Sequence, residues 1–150
     1  MSQGETVGPL GESAGYALKQ AASALRAAMD AVLRPLDLTV PQYACLELLE
    51  RRPGLSSAEL ARGAFVTRQA THGVLRGLAE RGLVTRAPSA PHGRALPVEL
   101  TDAGREALRA ASTAVRAVER RMLAPLGAER ERRLREDLAA CAAALAEPAP

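Results

Sequence analysis

The apolar residues Leu18, Ala22, Leu25, Met29, Val32 and Leu36 follow one another at spacings of four, three, four, three and four. That rhythm places them on one face of an α-helix, where positions three and four apart stack over each other; a strand would divide them between two faces. The stripe predicts a helix from Ser13 to about Leu33, ended by Pro35, whose ring and missing N–H cannot continue it. The same rhythm returns near the other end. Thr101 can cap a helix carrying Leu108, Ala111, Val115, Val118 and Met122, which Pro125 interrupts, and a last helix carries Leu134, Leu138, Cys141 and Leu145.

Composition supports helices packed on helices. Aromatic residues make up only 2% of the chain, as Tyr16, Tyr43 and Phe65, so the core must come from Leu, Val and Ala rather than the aromatic and β-branched residues of a sandwich. The 150 residues suit one domain, and 47% hydrophobic with 25% charged residues is an ordinary globular balance that excludes wholesale disorder.

The middle of the chain is punctuated by short-range signals. Thr39 and Gln42 form a capping box with Pro41 in the first turn, opening a helix that runs to about Arg52 before Pro53-Gly54. Ser56 and Glu59 repeat the box before a two-turn helix ended by Gly63. Thr67 can cap the next helix, on which Thr71, Val74, Leu75 and Leu78 face inward and Arg68, Gln69, His72 and Arg76 face outward. Gly63-Ala64-Phe65-Val66 then reads as the turn between two helices, with Phe65 or Val66 wedged into the core. Two β-like runs follow, Leu83 to Arg86 and Leu96 to Leu100, separated by a Pro-, Ser- and Gly-bearing stretch. They read as a hairpin with a basic tip, and Pro97 places its strand at an edge.

The expected fold is mainly α with a small β-hairpin wing: a winged helix-turn-helix flanked by long N- and C-terminal helices. Residues 1–12 and 147–150 read as tails, with Gly and Pro and no periodicity. Residues 13–146 read as one domain, with the winged helix at about 37–101 and the flanking helices at about 13–36 and 102–146.

Charge singles out the same centre. From Gly54 to Thr101 there are six arginines, Arg62, Arg68, Arg76, Arg81, Arg86 and Arg94, against Glu59, Glu80 and Glu99; the remaining 14 basic and 14 acidic residues cancel. A basic module between balanced segments fits a protein that touches a polyanion with one part only. In a helix-turn-helix the second helix offers its outer face to the major groove, so Thr67, Arg68, Gln69, His72 and Arg76 are the candidate groove contacts. Arg86, His92 and Arg94 belong to the wing, where an arginine can enter the minor groove and read its negative potential.

Other chemistries lack their residues. Cys45 and Cys141 have no CxxC spacing and lie among apolar neighbours, so both read as buried, reduced thiols rather than a zinc ribbon or disulfide pair. His72 and His92 stand in no metal-binding spacing, and there is no P-loop, dinucleotide fingerprint or nucleophile elbow. No catalytic residue, metal or cofactor is expected. No apolar run is long enough for a membrane span and no basic n-region opens the chain, which reads as soluble and cytoplasmic.

The ordered set Leu38-Thr39-Val40-Pro41-Gln42-Tyr43, Leu60-Ala61, Leu78-Ala79-Glu80-Arg81-Gly82-Leu83-Val84 and Leu100-Thr101-Asp102-Ala103-Gly104 resembles the multiple-antibiotic-resistance regulator (MarR) family of winged-helix repressors, from about Tyr16 to Leu145. That family's wing usually carries Asp-x-Arg before the second strand. Here the stretch reads His92-Gly93-Arg94, so Arg94 matches and the Asp does not.

The resemblance implies a homodimer whose N- and C-terminal helices, at about 13–36 and 102–146, form the dimerisation region, on a pseudo-palindromic double-stranded DNA operator, each winged helix taking a half-site. It further implies repression relieved by a small phenolic or aromatic-acid effector between head and dimer regions, where Tyr16, Arg26, Met29 and Tyr43 are the candidate lining. Two alternatives stand beside it: a redox-responsive regulator of the same fold, and a winged-helix protein-interaction module that does not read DNA.

Overall fold

Local capping decides where each helix of this protein begins. The computed structural model describes residues 10–64, 66–86 and 98–146. Phe65, the wing residues His92 and Arg94, Pro97, and most of the two tails lie outside the described residues, as does the side chain of Arg86. Leu10–Glu12, assigned above to the tail, form a 3₁₀ turn.

Ser13 then accepts a hydrogen bond from Tyr16 N at 3.2 Å and opens α1, Ala14–Leu33. A second 3₁₀ turn, Arg34–Leu36, carries Pro35 and closes on Asp37, which adopts a left-handed φ of 59°. The capping box at Thr39 and Gln42 forms in both directions, at 3.2 and 3.0 Å, and opens α2, Val40–Arg51.

Ser56 and Glu59 make the same reciprocal pair, at 2.9 and 3.2 Å, before α3, Ser57–Ala64. The hydrogen bonds from Ser56 hold the Glu59 carboxyl below the usual glutamate range. Helix α3 does not stop at Gly63 as the sequence suggested but continues through Ala64. Gly63 instead lies under α2, where a Cβ would meet Leu48 Cδ1 at 2.8 Å, so it serves close helix packing rather than termination.

Thr67 caps α4, Arg68–Glu80, accepting from Ala70 N at 3.0 Å. Helix α4 ends in a Schellman motif: Gly82 N donates to Ala79 O at 3.0 Å and Leu83 N to Leu78 O at 2.9 Å. Gly82, at φ +74°, supplies the left-handed residue that motif needs. Strands β1, Val84–Arg86, and β2, Val98–Leu100, pair antiparallel with Thr85 opposite Glu99. Val98 N reaches Leu55 O at 3.4 Å, so β2 lies between β1 and the segment that enters α3.

The junction between wing and last helices is the tightest place in the fold. Thr101 caps α5, Asp102–Leu123, by accepting from Gly104 N at 3.0 Å, and its hydroxyl donates to Gly82 O at 2.6 Å. Thr101 N donates to Leu83 O at 3.1 Å. Gly104 is buried directly against that carbonyl: a Cβ there would stand 2.0 Å from Leu83 O.

One apolar core joins these elements. Leu33, Leu46, Leu60, Leu78 and Val98 come from five different elements and are almost fully buried together. Helix α1 packs along α5, while the apolar stripe of its N-terminal half stays outside, with Tyr16 and Leu18 exposed. The last helix, α6, Gly127–Ala146, buries no residue at all within the single chain. Cys141 is therefore exposed, against the expectation of a buried thiol, because the α6 stripe that was to bury it has no partner within the protomer. Leu138 and Leu145 on that stripe are exposed as well.

Candidate nucleic-acid interface

The site is built on α4 and the turn from α3. Thr71, Leu75 and Leu78 are buried on one side of α4, and the Thr71 hydroxyl is satisfied within the helix by donating to Thr67 O at 3.0 Å. With that side fixed in the core, the periodicity of the helix obliges Arg68, Gln69, His72 and Arg76 to face outward, and all four are exposed. Thr67 is exposed too, but its hydroxyl is engaged as the cap. The structure thus gathers all five predicted groove residues on one exposed face, led by an N-terminus whose partial positive charge favours a phosphate.

The wing begins where expected, at β1 and β2. Arg86 is the last residue of β1, paired with Val98. Gly73 and Gly77 lie on α4; a Cβ on Gly73 would meet nothing within 4 Å, and one on Gly77 would make only an ordinary contact with Gln42 at 3.4 Å. Nothing in the structure explains either glycine.

The four candidate effector residues are not brought together. Arg26 is exposed and pairs with Asp30 at 3.8 Å, and Tyr16 is exposed three turns nearer the start of α1. Met29 and Tyr43 both pack against the core, from α1 and α2. Burial raises the Tyr43 phenol above its usual pKa, against the opposing pull of a hydrogen bond with Ser112, which is itself buried on α5. Beside that bond an open cleft of about 400 Å³ lies between α2 and α5, with Glu47, Ser112 and Arg116 in its lining. Sequence reasoning missed Ser112 and Arg116, which lie on α5 and meet α2 only in the folded chain. It also missed Arg81, whose guanidinium donates to Asp37 O.

Cys45 does not suit a redox sensor. It is fully buried, and burial pushes its thiol up to about 11, so almost no thiolate exists at neutral pH. In the native protein Cys45 is expected to resist Ellman's reagent at pH 8 and to react as soon as the chain is unfolded in guanidinium. Fast native labelling mapped to Cys45 would contradict the buried position. The sign of the pH effect follows. The raised pKa favours the fold fully below the ordinary thiol value of 9.0, and that contribution disappears as pH rises through about 11.

Among the described residues no three His, Cys, Asp or Glu side chains converge as a metal site, and no helix is long and apolar enough to cross a membrane.

A helix-turn-helix with its second helix exposed along a polar face, followed by a two-stranded wing, defines a winged-helix DNA-binding protein. The model of the MarR family matches residues 36–95. The chain is 46% identical over 124 residues to the HTH-type transcriptional repressor Rv2887 of Mycobacterium tuberculosis, covering 83% of this chain and 89% of that protein. The crystal structure of Rv2887 in complex with DNA superposes with a TM-score of 0.72 at 42% identity, covering 86% of this chain and 97% of that one. The transcriptional repressor CouR bound to p-coumaroyl-CoA gives 0.78 at 33% identity, covering 91% and 96%. The chain belongs to the MarR family of winged-helix transcriptional regulators, whose members are dimeric.

Proposed function

We propose that this protein is a homodimeric repressor, without enzymatic activity and acting in the cytoplasm, that releases its operator when a small aromatic acid binds. The observation that carries the reading is the division of α4: Thr71, Leu75 and Leu78 in the core, and Arg68, Gln69, His72 and Arg76 free on the opposite face. Thr67 and these four residues enter the major groove, and Arg86, His92 and Arg94 serve the wing in the minor groove, with Arg94 the leading contact. The complex of Rv2887 with DNA supports DNA binding.

Dimerisation uses the apolar faces that the protomer leaves open, on the N-terminal half of α1 and along α6. The two recognition helices must then lie about 34 Å apart to meet successive major grooves on one side of the duplex.

The effector seat is the cleft between α2 and α5, beside the Tyr43–Ser112 hydrogen bond, with Arg116 available for a carboxylate; Tyr16, Arg26 and Met29 of the candidate lining stand on α1, outside this cleft. Structures of Rv2887 with salicylic acid and of CouR with p-coumaroyl-CoA support an aromatic effector. A ligand that fits this cleft better at another head spacing shifts the population away from the DNA-binding form.

Fluorescence anisotropy on DNA from the protein's own upstream region, with scrambled DNA as control and across a salt series, tests the reading. The wild type is expected to prefer its own DNA by about 10³ or more, with steep salt dependence, and Arg94→Ala to weaken it. Equal, weak binding to both DNAs, repeated on other promoter fragments, would favour a protein-interaction module instead.

A further inference from the structure

The recognition helix is tied at its far end to the base of α1 by a side chain that takes no part in the groove face. Arg81 is the C-cap of α4, and its guanidinium donates to the carbonyl of Asp37, 44 residues earlier.

Both ends of that link are stiff. Asp37 sits in a left-handed conformation and closes the turn after α1: its N–H donates to Arg34 O at 2.9 Å, and Leu38 N donates to Leu33 O at 3.2 Å. Leu33 and Leu38, on either side of the turn, are both buried. Arg81 precedes Gly82, whose N–H completes the Schellman motif and whose carbonyl accepts from Thr101. The acceptor therefore moves with α1 and the donor with α4.

We infer that Arg81 is a positioning residue for DNA recognition, fixing the tilt of α4 against α1, the helix that the dimer carries. This inference rests on the assignment of α4 to the major groove. Leverage gives it consequence. At about 1.5 Å per residue the 13-residue helix is about 20 Å long, so a tilt of about 10° about its C-terminal end moves Arg68 and Gln69 by about 3 Å. A shift of that size removes base contacts, which need hydrogen-bond geometry, while phosphate attraction survives it.

The test uses the full chain with Arg81→Met and Arg81→Lys, measured on the protein's own operator and on scrambled DNA across a salt series, with thermal denaturation alongside. Arg81→Met is expected to lose about tenfold on the operator. Its affinity for scrambled DNA and the salt slope should stay unchanged, because no phosphate contact is lost. Arg81→Lys, which keeps a donor able to reach a carbonyl, is expected to recover most of that loss.

Three results would overturn the inference. A salt slope reduced by about one, with both DNAs weakened alike, makes Arg81 a phosphate contact. A large fall in melting temperature in either variant makes it a structural residue. Unchanged operator binding removes any role. A wild type with no preference for its operator would instead defeat the DNA reading itself, which separates the two failures.

Discussion

Gly104→Ala is expected to destabilise the protein by more than about 3 kcal/mol, a large share of the about 5–15 kcal/mol that most domains have to lose. A Cβ on Gly104 would stand 2.0 Å from the Leu83 carbonyl oxygen and 3.0 Å from its carbon, and both are backbone atoms. No side-chain rotation relieves such a contact. Relief requires α5 to withdraw from β1, which would break the Thr101 N to Leu83 O and Thr101 hydroxyl to Gly82 O hydrogen bonds. Leu83, Val84 and Leu100, buried at that junction, would lose their packing as well. Urea denaturation followed by circular dichroism measures the effect. Gly73→Ala is the matched control, since its Cβ meets nothing within 4 Å and alanine is the better helix former by about 1 kcal/mol. Equal stability of Gly104→Ala and the wild type would show that α5 and β1 do not meet in this way.

The double substitution Gln69→Ala with Arg76→Ala is expected to lower operator affinity by about 10²–10³-fold, since each lost base-edge contact costs about 1–3 kcal/mol and separated contacts add. Both side chains are exposed and seven residues apart, so they lie two turns apart on the same face of α4. Stability should change by less than about 0.5 kcal/mol, because neither side chain supports the core. Anisotropy on operator and scrambled DNA, with a melting curve on the same preparation, separates the two effects. Operator affinity kept within about twofold would remove this face from the groove, given that two lost contacts should cost far more.

The parts of the fold that rest on short-range chemistry were legible. The boxes at Thr39 with Gln42 and at Ser56 with Glu59, and the caps at Thr67 and Thr101, all join residues three apart, and each forms as its spacing predicts. The exposed face of α4 was legible for the same reason: on a helix, the positions of Thr71, Leu75 and Leu78 decide which residues point away. The cleft between α2 and α5 was not legible: Tyr16, Arg26, Met29 and Tyr43 each lie on the expected helices, but the meeting of Tyr43 with Ser112 and Arg116 is a tertiary matter. Cys141 was misplaced because an apolar stripe tells that a face will be covered, not that the same chain will cover it.

The sequence by itself determined the order of helices and wing, the caps that start the helices, and the side of α4 left exposed. Each of these depends on residues within about one or two turns of one another, where backbone geometry alone sets who meets whom. Only the tertiary structure decided that Gly104 must be a glycine, that Arg81 grips the turn at Asp37, and that Tyr43 leans on Ser112. Those contacts join atoms separated by 19 residues or more along the chain. They exist only because the leucine core brings α1, α2, α4 and α5 to fixed places.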